Sequence, residues 1–168
     1  MSKTLNVNLS NDSINSAIES LNQLRNDLKK SVNVSVKQAT ETFKDKVVEN
    51  CYANNIHDHA SNVQSSFDES TNTGKVFTSD PVLAYQERGT GIVGSNNPHP
   101  DPQLSWQFDI NEHGEAGWLY PKGDGTYGRT SGLTSKHMFY DAANDMKTEF
   151  GSIISTELEK IEDNLYVR

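Results

Sequence analysis

The chain has 168 residues, 33% of them hydrophobic, and a formal net charge of −8. That length suits one domain, and the acidic balance excludes a nucleic-acid grip built on bulk positive charge, which needs clustered Lys and Arg. Cys51 is the only cysteine, so no intrachain disulfide is possible, and no run approaches the roughly 20 apolar residues of a membrane span.

The first residues, Met1 to Val7, hold no apolar signal-peptide core, so no secretory leader is expected. Thr4 to Leu9 alternates apolar and polar, a short half-buried strand pattern. Ser10-Asn11-Asp12-Ser13 is a helix-start cluster. Ile14, Ala17, Ile18, Leu21, Leu24 and Leu28 follow at spacings of three and four, one stripe of an amphipathic helix ending near Lys30. Ser31-Val32-Asn33 reads as a break or kink. A second helix is expected from about Val34 to Asn54, with Val36, Ala39, Phe43, Val47 and Cys51 as its stripe. Ordering some forty residues costs more than one such pair of stripes returns. These helices must pack on something further along the chain or on another copy.

Asn54 to His59 is polar and loop-like. Val63 to Phe67 and Lys75 to Thr78 are short strand candidates joined by turn residues, which makes a hairpin with a long tip. Asp80 then offers a side-chain cap and Pro81 suits a first helical position. Val82 to Arg88 makes about two helical turns before Gly89 stops them. The proline-rich stretch from Ser95 to Pro102 is expected to be an exposed loop. Leu104 to Phe108 and Gly117 to Pro121 alternate as strands, joined through Asn111 to Glu115 as a second hairpin, and Lys122 to Ser131 is glycine-rich. From about Ser135 a sustained stripe, Met138 through Phe150 to Ile161, predicts a long final helix, with Gly151 marking a bend or a close contact. The whole chain, residues 1–168, is thus read as one α+β domain: two N-terminal helices and a long C-terminal helix packed on a small antiparallel sheet, with an exposed loop at about 95–116.

Several constellations invite chemistry. Gly89-Thr90-Gly91-Ile92-Val93-Gly94 matches the dinucleotide fingerprint formally, yet that mechanism needs a strand before it and a helix after it. Here a helix precedes it and a proline-rich loop follows, so the glycines are read as a turn and no cofactor is expected. His57, His59 and Cys51 are residue types that ligate zinc, but one cysteine and a His-Asp-His loop do not fix a closed tetrahedral site. His99, His113 and His137 are scattered and read as solvated. No serine or acid lies in a nucleophile context, so no catalytic residue is assigned. Trp106, Phe108, Trp118, Tyr120 and Tyr127 cluster on the candidate strands, either as the core of a small sheet or as a subunit-facing patch.

Two stretches carry a family resemblance. One is Ala84-Tyr85-Gln86-Glu87-Arg88-Gly89-Thr90-Gly91. The other runs from Gly132-Leu133-Thr134-Ser135-Lys136-His137 into Met138-Phe139-Tyr140-Asp141-Ala142-Ala143, after the aromatic strand Trp118-Leu119-Tyr120-Pro121. In their order and spacing they resemble the minor tail-component family of long-tailed bacteriophages, variously called neck, tail-completion or head–tail joining proteins. Two features differ from the family: no proline occurs from Thr134 to His137, and the segment from Ser95 to Ala116 is longer. The resemblance implies a non-catalytic α+β subunit of the virion, made in the host cytoplasm. Such a subunit assembles as a ring, six-fold in the usual arrangement, between the connector and the tail tube. Its partners would be itself, neighbouring neck and tail-tube proteins, and DNA that passes without specific binding, with no membrane involved. Glu87, Arg88, Gly89, Thr90, Gly91, Trp118 and Tyr120 are the interface candidates on this reading. Two readings of other classes stay open: a soluble cytoplasmic protein-binding module using the aromatic strands, and a metal-dependent hydrolase using His57 and His59.

Overall fold

The computed structural model describes residues 7–103, 108, 109 and 111–166. The protein is α+β, with a long helix near each end of the chain and two small antiparallel sheets of two strands each. The elements run α1 (Asn11–Ala53), α2 (His57–Ala60), β1 (Gln64–Asp68), β2 (Thr73–Phe77), α3 (Pro81–Arg88) and α4 (Gly91–Asn96). A 3-10 turn (Gly114–Ala116) follows, then β3 (Trp118–Pro121), β4 (Tyr127–Thr130), the two-residue β5 (Gly132–Leu133) and α5 (Met138–Tyr166).

The chain divides into two compact units. The first comprises Met1–Thr42, Ser65–Lys75 and Met146–Arg168; the second comprises Phe43–Gln64 and Val76–Asp145.

In the first unit, α1 does not break at Ser31-Val32-Asn33. It is one helix of 43 residues. Ser31, Ser35 and Ala39 recur every four residues and are all buried, so small side chains continue the inward stripe where a break was expected. The stripe before them behaves differently. Ile14, Ile18, Leu21 and Leu28 are 39%, 51%, 55% and 40% exposed, so most of the apolar face of early α1 is uncovered. On α5, Met146 and Glu157 are buried, and Lys160 donates to the Glu157 carboxylate one turn away. Leu24 and Leu28 of α1 and Leu158 and Ile161 of α5 line a common open groove of about 580 Å³. The first half of the strand expected from Thr4 to Leu9 lies outside the described residues, and its second half, Val7 to Leu9, is irregular rather than strand.

The second unit holds the core. Val47, Cys51, Ile56, Ala60, Val63, Leu83, Met138 and Ala142 form one buried cluster, with Phe43, Val76 and Phe139 packed around it. Late α1, α2, α3 and early α5 therefore share a single apolar interior. Each large member contributes about 1.5–3 kcal/mol by leaving water. The residues from Asn54 to His59, expected as loop, include the one-turn α2, and Asn55 takes a positive φ of 60° to allow it.

The second hairpin differs from the expected one. β3 pairs antiparallel with β4, Trp118 opposite Thr130 and Pro121 opposite Tyr127. The glycine-rich stretch thus supplies a strand, and its turn is Lys122 to Thr126, where Asp124 accepts hydrogen bonds from the Thr126 N–H and hydroxyl. The expected partner strand, Leu104 to Phe108, lies almost wholly outside the described residues.

Candidate functional site

The most organised polar site is the corner where α3 ends and α5 begins. Asp80 caps α3 as its sequence suggests: its carboxylate accepts from the Val82 N–H at 2.8 Å. The same carboxylate accepts from His59 Nδ1 at 2.6 Å and from Asn62 Nδ2 at 2.6 Å. Desolvation opposes ionisation of Asp80, but these hydrogen bonds outweigh it and hold the carboxyl below its ordinary value. Val82 to Arg88 then makes two turns, and Gly89 closes them with φ 77° while its N–H returns to the Tyr85 carbonyl.

Beyond Gly89 the chain lies backbone against backbone on β5. Thr90 bridges Leu133 and Gly91 bridges Gly132. A Cβ on Gly132 would fall on the Thr90 carbonyl, and one on Gly91 would fall on the Ser131 carbonyl. Both glycines also have positive φ, 60° at Gly91 and 125° at Gly132, so only glycine allows this approach. The fingerprint is thus a structural corner. A short helix, α4, begins inside it at Gly91 and the proline-rich stretch beyond Asn96 is irregular as expected; α4 has only six residues and no strand precedes the turn. Its geometry lacks the strand–turn–helix that a dinucleotide pyrophosphate requires.

Glu87 is the pivot. It is 8% exposed. Its Oε2 accepts from the Phe139 N–H at 2.9 Å and its Oε1 from the Tyr140 N–H at 3.0 Å. These are orphan donors in the first turn of α5, and a carboxylate there also meets the positive end of the helix dipole. The residue before α5 is His137, with φ 55°, which is unsuited to the usual side-chain cap. Glu87 supplies the cap from 50 residues upstream in its place. The Ser135 hydroxyl donates to the Glu87 carbonyl, and the Lys136 N–H donates to the Gln86 carbonyl at 2.7 Å.

A buried histidine completes the cluster. His99, expected to be a solvated loop residue, is 8% exposed. The Asp101 N–H donates to its Nδ1 at 3.0 Å, so that nitrogen is the acceptor. Nε2 therefore carries the proton and donates to Glu87 Oε1 at 3.3 Å. Its ring also meets those of Tyr140 and His137 edge-on, with centroids 5.1 and 5.4 Å away. Sequence reasoning missed this because His99 sits between two prolines, a context that signals an exposed turn. Beside the cluster a cavity of about 440 Å³ is lined by Phe43, Leu83, Phe139 and Ala143, with Arg88 and Asp101 as polar members.

The corner thus brings together Glu87, Gly89, Thr90 and Gly91. Glu87 is turned inward, with its carboxylate engaged by α5, and Arg88 is half-buried at the cavity. Trp118 and Tyr120 lie on the separate β3–β4 hairpin. The aromatics there do not form a buried core: Leu119, Tyr120 and Tyr127 are 67%, 43% and 69% exposed. Trp118 is half-buried and its ring lies 5.6 Å from that of His113. Trp106 is outside the described residues. Before this hairpin, Asp109 accepts from the Gly114 N–H at 2.7 Å and the His113 N–H at 3.0 Å, and these bonds hold its carboxyl below the ordinary value.

The histidines weighed for metal binding are not brought together. His57 is exposed and lies against the Tyr52 ring at 5.2 Å. His59 is bound to Asp80. Cys51 is wholly buried in the core, and burial, then the charge of Glu87, pushes its thiol up to about 11. Among the described residues no group of three or more His, Cys, Asp or Glu is placed to hold a metal ion, and no helix is long and apolar enough to cross a membrane. Comparison with known protein families, with curated proteins and with solved structures finds no match to this chain.

Proposed function

We propose that this chain is a structural subunit of a tailed-bacteriophage virion, forming a ring at the neck or head-proximal tail end through which DNA passes. The observation that carries this reading is the corner itself. The two stretches on which the family resemblance rests are more than forty residues apart in sequence, yet Glu87, Ser135 and the paired backbones of Gly91 and Gly132 join them into one unit. Such a corner holds the start of a long helix rigid, as an assembling subunit requires. Its polar groups are spent on each other rather than aimed at a reacting centre. In a closed ring each subunit presents two different faces, and surfaces that are apolar in the single chain become covered. The exposed β3–β4 hairpin is one such surface, with Tyr120 on it. Glu87 acts on assembly by fixing the corner, not by touching a neighbour. The net charge of −8 suits a channel wall that does not retain DNA.

Mass spectrometry of purified phage particles tests the proposal. The chain should be present at a stoichiometry of one ring per particle. Its absence from intact virions would sink the reading.

A second reading draws on the same hairpin. Leu119 and Tyr127 lie on one face of the hairpin and Tyr120 on the other, all exposed, apolar surface of the sort that protein-binding modules use. On that reading the chain is a soluble cytoplasmic module, and its partner should be recovered from cells that contain no virions.

A further inference from the structure

The first unit carries a surface that the ring reading does not use. Along α1, Ile14, Ile18, Leu21, Leu28 and Val32 are between 39% and 55% exposed, and Leu158 on α5 is 42% exposed. Leu24, Leu28, Leu158 and Ile161 line one groove, so the two helices present a single apolar seam. A helical pair rarely leaves such a seam open to water, because contiguous exposed apolar surface marks a place where something packs.

The charges beside the seam are of opposite sign on its two sides. On α1, Arg25 and Lys29 follow Leu21 by four and eight residues, and each step of four carries them further to one side of the line through Leu21, Leu28 and Val32; both are exposed. The buried positions Ser31 and Ser35 fall on the other side of that stripe at 100° per residue. The basic edge therefore faces away from the side on which α1 is covered. On α5, Glu159 and Glu162 lie one and four residues past Leu158, are exposed, and line the groove with it, while the buried Glu157 falls on the opposite side of Leu158. The surface thus reads, edge to edge, basic, apolar, acidic. Leu24 and Leu28 share the groove with Leu158 and Ile161, so the two charged edges stand at the same height along the helices.

We propose that this seam binds the seam of a second copy of the chain about a two-fold axis parallel to the helices, forming a four-helix contact. Turning a copy over about that axis keeps every residue at its height and exchanges the two edges. Arg25 and Lys29 of one copy then lie over Glu159 and Glu162 of the other, twice, with leucines between. A contact of this kind uses the same patch on both partners and closes after two copies, so it cannot by itself propagate a ring. It defines the free chain in solution and stands or falls separately from the virion reading.

Sedimentation of the purified full chain tests this with two charge-reversed variants, R25E/K29E and E159K/E162K. All four positions are exposed, and circular dichroism establishes that each variant is folded. The unaltered chain should be a dimer. Each variant alone sets like charges against each other and should weaken the dimer by about tenfold or more at low salt. Mixing the two variants in equal amounts should restore it, because two acidic edges then meet two basic ones. A monomeric unaltered chain overturns the proposal. So does a dimer that neither variant weakens, or one that the mixture fails to restore.

Discussion

Replacing Glu87 by alanine removes the carboxylate that starts α5. The structure sets the scale. Two backbone N–H groups, of Phe139 and Tyr140, bond the carboxylate at 2.9 and 3.0 Å, and the site is almost closed to water. A hydrogen bond to a charged group contributes about 1.5–3 kcal/mol, and a buried donor left bare costs its desolvation. Loss of both, with His99 Nε2 also stranded, should destabilise the second unit by about 4 kcal/mol. At this chain length that corresponds to a fall in Tm of about 8–16 °C. Glu87→Gln keeps one acceptor oxygen but turns an NH2 group toward the other N–H, so about half the effect should remain. Urea titrations followed by circular dichroism would measure both variants. A loss below about 1 kcal/mol for the alanine variant would refute the argument that Glu87 holds the corner.

Three further outcomes follow from neighbouring features. Cys51 is fully buried with its thiol raised to about 11, so iodoacetamide at pH 8 should leave it unmodified in the folded chain and label it quickly in urea; equal rates would contradict the burial. Asp80 has its folded-state value lowered below 3.8, so its stabilisation should be complete above that pH and fade as pH falls through the lower folded value. Asp80→Asn should accordingly be less stable than the unaltered chain at pH 7, with a gap that narrows in strongly acidic urea titrations and does not narrow if another group is responsible. Gly151 lies exposed inside α5, with nothing within 4 Å of where a Cβ would sit, so Gly151→Ala should raise stability by about 1 kcal/mol in thermal melts; a fall would reveal a contact at that position.

Much of this fold was legible from local chemistry. Asp80, Pro81 and Gly89 bracket α3 because caps and stops act within a few residues, and the first hairpin follows from its turn residues in the same way. The apolar stripe of α5 runs long enough to declare itself. What stayed hidden depends on distant partners. The pairing of β3 with β4 turns on Tyr127 to Thr130, four residues that include Gly128 and show no alternating pattern. The continuity of α1 was written in Ser31, Ser35 and Ala39, whose fourfold spacing is a helical signal, but serines do not register as core until their burial is seen. Glu87 and His99 offered nothing locally, since each answers to the other twelve residues away, and Glu87 also to N–H groups 52 and 53 residues away in α5.

The backbone crossing at Gly91 and Gly132 bears on how this sequence can drift. In a library of random variants those two codons should return glycine alone, since every other side chain meets a carbonyl oxygen rather than a neighbour that can move. Gly123, with open space around it and a φ of 81°, should accept asparagine and aspartate, and Gly151 should accept nearly anything. Relatives that have diverged beyond recognition elsewhere would then still share the two glycines and the glutamate beside them, and a search for kin is best anchored there.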